Sequence, residues 1–156
     1  MDINLITFHK RTENIYGLQI NNNDVLIQLP SCKMPFRVEE YKNSYIVNLD
    51  WYDPNRKMKK IVKSFNKILK RFNKFMKKDY NIYESMTDEG KNFKLRTKIR
   101  KYSNKLDIKV HHPEKTVFEI NSKEYLNPII LLDSIWIMKD RIGINIYLKE
   151  LTVLNI

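Results

Sequence analysis

Several residue types are scarce or missing in this 156-residue chain, and each absence excludes a class of protein. There is no alanine, and only three glycines and one cysteine. With Cys32 alone, no disulfide can form within the chain and no cysteine-based zinc site can be built, which favours a reducing, intracellular setting. Three glycines are too few for a phosphate-cradling loop. The chain therefore lacks the signatures of disulfide-stapled proteins, zinc modules and nucleotide-binding loop enzymes.

Long apolar runs and a secretion signal are also missing. The longest apolar run, 129–138, is interrupted by Asp133 and is too short to span a bilayer. The first residues do not show the basic-then-apolar order of a secretion signal. We therefore expect a soluble, intracellular protein with no integral membrane segment.

Acidic residues are missing between Arg56 and Lys78, where eleven residues are Lys or Arg. Apolar residues recur in this stretch at intervals of three and four, which predicts an amphipathic helix with a cationic outer face: Met58, Ile61, Val62, Phe65, Ile68, Leu69, Phe72, Phe75 and Met76. The net charge of +11 and the pI of 9.6 are typical of proteins that bind nucleic acid. Because a dense run of like charge repels itself, the expected partner is a polyanion, with nucleic acid first and an anionic membrane second.

The first third of the chain has the alternation and turn residues of β-structure. Segments 15–20 and 25–29 flank three asparagines, which suit the turn of a β-hairpin. Segments 36–38 and 45–51 are predicted as the next strands. Asp53 can cap the following helix and Pro54 suits its first position, so the long helix is predicted to run to about Lys78.

A second, shorter helix is predicted from Thr87 to about Tyr102, and the last third is predicted to be β. Segment 105–110 alternates, and 116–120 is a candidate partner strand. Segment 129–138 is apolar on both faces, as in a central strand. The alternation from Ile142 onwards slips in phase, which predicts a β-bulge at Lys149 and Glu150.

These elements predict a mainly β protein, a small β-barrel with inserted helices. We expect a single domain, 1–156. Residues 1–29 would form an N-terminal β-hairpin extension, and 30–156 a barrel with a helical insertion at about 54–102.

Histidines and carboxylates give little indication of catalysis. His111 and His112 are adjacent and precede a proline, so they would point to opposite faces and make a poor metal site. The order Asp107-Ile108-Lys109 is similar to the carboxylate–apolar–lysine segment of metal-dependent nucleases, which would need a further carboxylate such as Asp88 or Glu89. Alternating charge on a strand also gives this pattern by chance. We expect no enzyme, no catalytic residue, no metal and no cofactor.

Three passages together resemble the single-stranded DNA-binding proteins encoded by viruses that have an OB-fold with a helical insertion. The passages are MPFRVEEYKNSYIVNLDW, YSNKLDIKV and IILLDSIWIMKDRIGINIYLKELTVLNI. They are similar to the opening, middle and closing barrel strands of that family, and their order carries the resemblance from about residue 30 to 156. It implies an OB-like barrel and binding to single-stranded DNA without a cofactor. Several such proteins have an acidic C-terminal tail that recruits replication partners, whereas this sequence ends in LTVLNI.

Binding to single strands needs cations for phosphates and aromatic rings for bases. Two sets of residues offer this chemistry, and Tyr80 and Tyr83 lie near the first in sequence. The candidate nucleic-acid contacts are Lys94, Arg96, Lys98, Arg100, Lys101, Tyr102, Lys105, Lys109, Arg141, Asn145, Tyr147 and Lys149. The candidate secondary phosphate contacts on the long helix are Lys63, Lys67, Lys70, Arg71 and Lys74.

Less specific interpretations of the same residues stay open. Tyr102 and Tyr147 could be half-buried barrel tyrosines, and the cations could be a solvated surface. Trp51 and Trp136 are expected in the core first and as stacking platforms second.

The sequence thus favours a sequence-tolerant single-stranded DNA-binding protein that coats exposed strands in viral-type replication or repair. RNA is an open alternative ligand, and a homo-oligomer or a replication partner also stays open, as does a location in host cytoplasm or nucleus. Two other functions are alternatives: a structural or scaffolding protein with a basic face, and a membrane-surface protein that acts through the long helix.

Overall fold

The computed structural model describes residues 2–42, 44–52, 55–89, 92–112 and 114–154, and over 87–89 the backbone alone. Within these residues it has one α-helix, α1, Arg56–Met76, and short 3-10 turns at Ile3–Leu5 and Val117–Glu119. The strands are β1 Ile6–Thr12, β2 Ile15–Ile20, β3 Val25–Gln28, β4 Glu39–Tyr41, β5 Ser44–Tyr52, β6 Asn81–Ile82, β7 Met86–Glu89, β8 Asn92–Tyr102, β9 Lys105–Leu106, β10 Lys109–His111, β11 Tyr125–Met138 and β12 Arg141–Leu154. The mainly β class with an inserted long helix is therefore confirmed.

Five segments form a circuit of backbone pairing. β5 runs antiparallel to β8, β8 is parallel to β12, and β12 is antiparallel to β11. The segment from β3 to Lys33 then pairs antiparallel with β11, through β3 and Cys32, and with β5 through a bridge between Lys33 and Asp50. This connectivity is that of a five-stranded, partly open OB-like barrel. The first strand of the barrel is thus β3 with its continuation to Lys33.

Two joints of the circuit are narrow. Lys33 and Asp50 exchange a single pair of backbone hydrogen bonds, and the ladder between β8 and β12 is the single pair Lys98 and Tyr147. By contrast, β5 and β8 pair along nine residues each. The barrel therefore consists of a β5–β8 half and a β3–β11–β12 half.

The N-terminal residues extend the second half. β1 and β2 form an antiparallel hairpin, and β2 pairs with β11 beside β3. The predicted strands at 15–20 and 25–29 are present, and Asn21 and Asn22 have the left-handed backbone expected of the turn. The prediction that these two strands pair with each other as a hairpin is wrong, because both pair with the same edge of β11.

Helix α1 begins at Arg56, where the Asn55 side chain accepts a hydrogen bond from the Met58 backbone N–H at 3.0 Å. The predicted Asp53 and Pro54 start lies outside the described residues. Most of the predicted apolar stripe of α1 is in the core, whereas Phe75 is 54% exposed. The buried side chains are Met58, Phe65, Ile68, Leu69 and Phe72.

The predicted second helix is wrong: the region contains the strands β7 and β8, which pair with each other. Phe93, Leu95, Thr97 and Ile99 are buried and alternate with cations along β8. That period of two belongs to a strand, and pairing with β5 outweighs the local helix-start signal at residues 87–89. Gly90 lies outside the described residues.

The last third agrees with the predictions except between residues 105 and 120. Segment 105–110 is divided between β9, which folds back on β8, and β10, which is parallel to β12. Residues 116–120 contain a 3-10 turn instead of a strand. The bulge at Lys149 is confirmed, because Ile129 pairs with Glu150 and Ile130 with Leu148. A second bulge, at Asp133 of β11, was not predicted.

Candidate nucleic-acid interface

The outer face of β8 carries a line of cations. Lys94, Arg96, Lys98 and Arg100 alternate with the buried residues of the strand, so all four point away from the core. Their spacing along the strand is about 6.7 Å, close to the separation of successive phosphates in an extended single strand. Four of the predicted contact residues are therefore brought into one row.

A groove of about 560 Å³ lies where this row meets β12, and we call it the β8 groove. It crosses the narrow joint between the two halves of the barrel and combines cations, aromatic rings, small polar groups and aliphatic side chains. Its lining residues are Ile15, Tyr41, Lys42, Ser44, Ile46, Tyr83, Ser85, Arg96, Lys98, Trp136, Met138, Ile144, Asn145 and Ile146. Arg96, Lys98 and Asn145 were predicted as contacts.

One wall of the β8 groove is aromatic. The Tyr83 and Trp136 rings lie 5.6 Å apart between centroids, and Tyr83 is 45% exposed. Trp136 lies over Gly143, its register partner on β12, where a Cβ atom would fall 2.3 Å from the indole ring. Only glycine leaves room for the ring against the strand, so Gly143 sets the position of Trp136. The expectation that Trp136 is a core residue is wrong: its side chain is partly exposed.

Trp51, in contrast, is in the core as predicted. It is 4% exposed, and its indole N–H donates to the Pro30 carbonyl at 2.9 Å.

The opposite wall comes from the end of β4. Tyr41 is 55% exposed, and the Lys42 Nζ atom lies 5.4 Å from the centre of the Tyr41 ring. Lys42 has a left-handed backbone, which places it in the tight turn into β5. The adjacent Asn43 lies outside the described residues.

The positive charges of Arg96 and Lys98 in the β8 groove repel each other, and an anion would relieve this repulsion. Burial lowers the pKa of the Lys98 ammonium, and the neighbouring charge of Arg96 lowers it further. A phosphate oxygen placed beside both groups would offset their repulsion and favour the charged form of Lys98.

At the end of the row, Arg100 is held by other protein groups. Its Nη2 atom lies 2.9 Å from Oδ2 of Asp133, and its guanidinium lies 4.0 Å from the centre of the Tyr147 ring. Arg11 of β1 donates to the same Oδ2 atom at 2.9 Å. Although burial alone would raise it, the hydrogen bonds from Arg11 and Ser134 and the charges of both arginines lower the pKa of Asp133. Tyr147 thus contacts an arginine of the same chain through the face of its ring.

The other predicted contacts on the strands lie outside the β8 groove. Lys101, Tyr102 and Lys105 are exposed around the β8–β9 turn, and Arg141 is exposed at the start of β12. Lys149 pairs with Asp107 at 2.5 Å. Lys109 is exposed on β10, where its register partner is Glu150.

The predicted helix contacts are also separate from the groove, because no residue of α1 is among the described residues that line it. Lys63, Lys67, Lys70 and Lys74 are exposed. Arg71 donates to the backbone carbonyls of Ile3 and Ile6 and so ties α1 to the N-terminal strand. The role of these cations in binding stays a prediction.

The arrangement of the described residues does not support the nuclease-like or the metal-binding interpretation. Among the described residues, no group of three or more His, Cys, Asp or Glu side chains could hold a metal ion. Asp107 of the nuclease-like segment is paired with Lys149, and the side chains of Asp88 and Glu89 lie outside the described residues. Within the described part of the chain, no helix combines the length and apolar character needed to cross a membrane.

Five residues that line the β8 groove were not among the predicted contacts: Tyr41, Lys42, Tyr83, Trp136 and Met138. For Trp136 a usable signal was present. A glycine in the middle of an otherwise bulky alternating strand indicates close approach by another group, and Gly143 follows Trp136 across the hairpin turn. The other four could be placed only once the distant strands had been paired.

No protein-family model matches the chain, and no curated protein matches it in sequence. Among solved structures, it is similar to the single-stranded DNA-binding protein from bacteriophage Enc34, in a C-terminal truncation. The TM-score is 0.45 and the identity 10%, over 97% of this chain and 95% of that chain. A likeness at this level assigns neither a family nor a function to the chain.

Proposed function

We propose that this protein binds single-stranded nucleic acid, DNA in preference to RNA, in the β8 groove and without dependence on base sequence. The observation that carries the proposal is the convergence of Arg96, Lys98 and Lys42 with the rings of Tyr41, Tyr83 and Trp136 in one groove. Cations along a groove neutralise the phosphates, and aromatic rings accept any base because every base has a π-face. The protein acts by covering the bound strand and catalyses no reaction.

The preference for single strands follows from the aromatic walls. Rings can stack only on bases whose faces are free, and a duplex hides those faces between neighbouring base pairs. The faces of β5 and β8, together with the β4–β5 and β11–β12 connections, are also the surface with which OB-folds bind oligonucleotides. Coating of exposed strands during viral-type replication or repair is the role that fits this chemistry.

Fluorescence anisotropy with a labelled oligo-dT at two salt concentrations tests the proposal. If about four phosphates are neutralised, the logarithm of the association constant should fall with the logarithm of salt concentration with a slope of about −3. Unlabelled single-stranded DNA should compete better than RNA of equal length, and both better than duplex. Absence of binding at low salt, or equal competition by duplex, would refute the proposal.

The amphipathic-helix alternative is less well supported. The stripe that a membrane-surface helix would insert is largely buried against the barrel, so it is not free to enter a bilayer.

A further inference from the structure

Arg11, on the N-terminal strand, reaches over its neighbour β2 to the same sheet face as the β8 groove. A Cβ atom on Gly17 would fall 2.7 Å from Arg11 Nε, so the side chain lies flat over this glycine. Gly17 and the groove-lining Ile15 are two residues apart on β2 and face the same side. The guanidinium of Arg11 is therefore on the face that continues from the groove.

The register of the strands shows how the two places connect. On β11, Trp136 is the partner of Ile15, and Ser134 is the partner of Gly17. Ser134 is also the partner of Asn145, which lines the groove and donates to the Ser134 hydroxyl at 2.9 Å. On both β11 and β2, the position next to Arg11 is therefore two residues from the position at the aromatic wall.

Asp133 brings Arg11 and Arg100 together. It is the bulged residue of β11 and is 7% exposed, and its Oδ2 atom lies 2.9 Å from a nitrogen of each arginine. Arg11 Nη2 also lies 3.3 Å from the Asp133 carbonyl oxygen. Two guanidinium groups on one carboxylate leave a net positive charge and unused N–H donors, since each guanidinium has five.

Both arginines remain accessible to a ligand. The side chain of Arg11 is 45% exposed and that of Arg100 is 32% exposed. The Tyr147 ring and the carboxylate restrict the motion of Arg100, so little entropy is lost when a phosphate binds. Paired arginines in a fixed orientation suit the planar, forked recognition of a phosphate.

We propose that Arg11 and Arg100 form a phosphate-binding subsite that extends the β8 groove onto the N-terminal hairpin. This proposal rests on the proposed function and adds a direction to it: the bound strand runs from the aromatic wall across β12 and β11 towards β1. The N-terminal hairpin, which the resemblance in sequence did not include, is then part of the binding surface.

The test compares oligo-dT of about 5 and about 15 nucleotides, lengths at the two ends of the site sizes of OB-folds. The variant R11Q should bind the short oligonucleotide as the unaltered protein does. Its affinity for the long one should fall roughly fivefold at about 50 mM salt, with the salt slope reduced by about 0.7, the loss expected for one phosphate contact on a single strand. R11K, which keeps a point charge, should recover most of the slope.

Lys10 provides the matched control. It is the neighbouring exposed cation on the same strand, and it pairs with Glu13 at 2.9 Å instead of with Asp133. K10Q removes the same charge and should leave the binding of both oligonucleotides nearly unchanged. Equal losses in K10Q and R11Q would overturn the subsite, as would an unchanged salt slope in R11Q.

A measurement on the unaltered protein covers the case in which R11Q does not fold. The long oligonucleotide should protect Arg11 from phenylglyoxal, and the short one should not. Equal modification of Arg11 with and without the long oligonucleotide would overturn the subsite even if both oligonucleotides bind. Failure of both to bind would instead refute the proposed function itself.

Discussion

Two regions of this protein are rich in cations and free of acidic residues on their outer faces: β8 and α1. Four cations follow one face of β8, and nine of the 21 residues in α1 are Lys or Arg. On β8 the cations lie beside aromatic walls and a neighbouring strand. On α1 the lysines project from a convex cylinder whose apolar side is in the core. The helix has more cations, whereas cations of the strand line the β8 groove.

The difference shows that charge density alone is a poor guide to a binding site. A flexible lysine on a convex surface is surrounded by water and counterions, so its contribution falls off quickly with distance and salt. Cations in a groove with low-polarity walls focus the field and act on the same ligand. We therefore expect the β8 groove to dominate binding and the helix to add a weak, non-specific attraction. Four changes test this contrast.

The largest effect should come from Asp133, which fixes the end of the β8 row. D133N leaves Arg11 and Arg100 without their shared charge partner. Loss of the hydrogen bonds that both guanidinium groups donate to this carboxylate should lower the free energy of unfolding by about 3 kcal/mol at neutral pH. Urea denaturation followed by circular dichroism measures it. A loss below about 1 kcal/mol would mean that Arg100 is held by Tyr147 alone.

The stability that Asp133 provides should also depend on pH. Its pKa in the folded protein is lower than its ordinary value of about 3.9, so the unfolded chain binds its proton more readily. Its contribution is therefore complete above about pH 5 and is lost as the pH falls through the folded pKa. The stability gap between the unaltered protein and D133N should narrow below pH 4; a constant gap would contradict this assignment.

The second largest effect should come from the two β8 cations that line the groove, Arg96 and Lys98. R96Q with K98Q removes two phosphate contacts, so the salt slope should fall by about 1.4 and the affinity for oligo-dT by roughly 50-fold at about 50 mM salt. Both side chains are on the outer face, so thermal melting should change little. If melting is unchanged and affinity falls less than threefold, the groove is not the main phosphate site.

A smaller effect should come from the aromatic wall. W136A should cost about 2 kcal/mol of binding free energy, the usual contribution of one stacked base. G143A, which leaves Trp136 in the sequence but displaces its ring, should give part of the same loss. W51F provides a reporter in which Trp136 is the remaining tryptophan, and oligo-dT should quench its emission. Quenching that persists in W136F would place the stacked base elsewhere.

The smallest effect should come from the helix. K63Q with K67Q removes the same number of charges as the groove variant, from exposed positions of α1. We expect a loss of roughly twofold or less, because exposed charges away from the ligand are screened. This pair is the matched control for R96Q with K98Q. A loss as large as that of the groove variant would move the binding surface to the helix.

The sequence predicted the parts of the fold that depend on neighbouring residues. The period of α1, the alternation of β5 and β12, and the bulge at Lys149 can all be read locally. The region from residue 87 to 102 was misassigned because a local helix-start signal competed with alternation, and only pairing with β5 decided between them. The same limit applies to the site: the β8 cations were identified from their type, whereas Tyr41 and Met138 required knowledge of which strands meet.

The narrow joints of the barrel have a consequence for motion. A single residue pair joins the two halves at Lys33 and Asp50, and another joins them at Lys98 and Tyr147, beside the groove. The two halves still share one hydrophobic core, so the joints can open only locally, by breaking their few backbone hydrogen bonds. A strand that crosses the joint between β8 and β12 contacts both sides of it and favours the closed joint by mass action. Amide protons at this joint should then exchange with solvent more slowly in the complex, while those of α1 keep their rates.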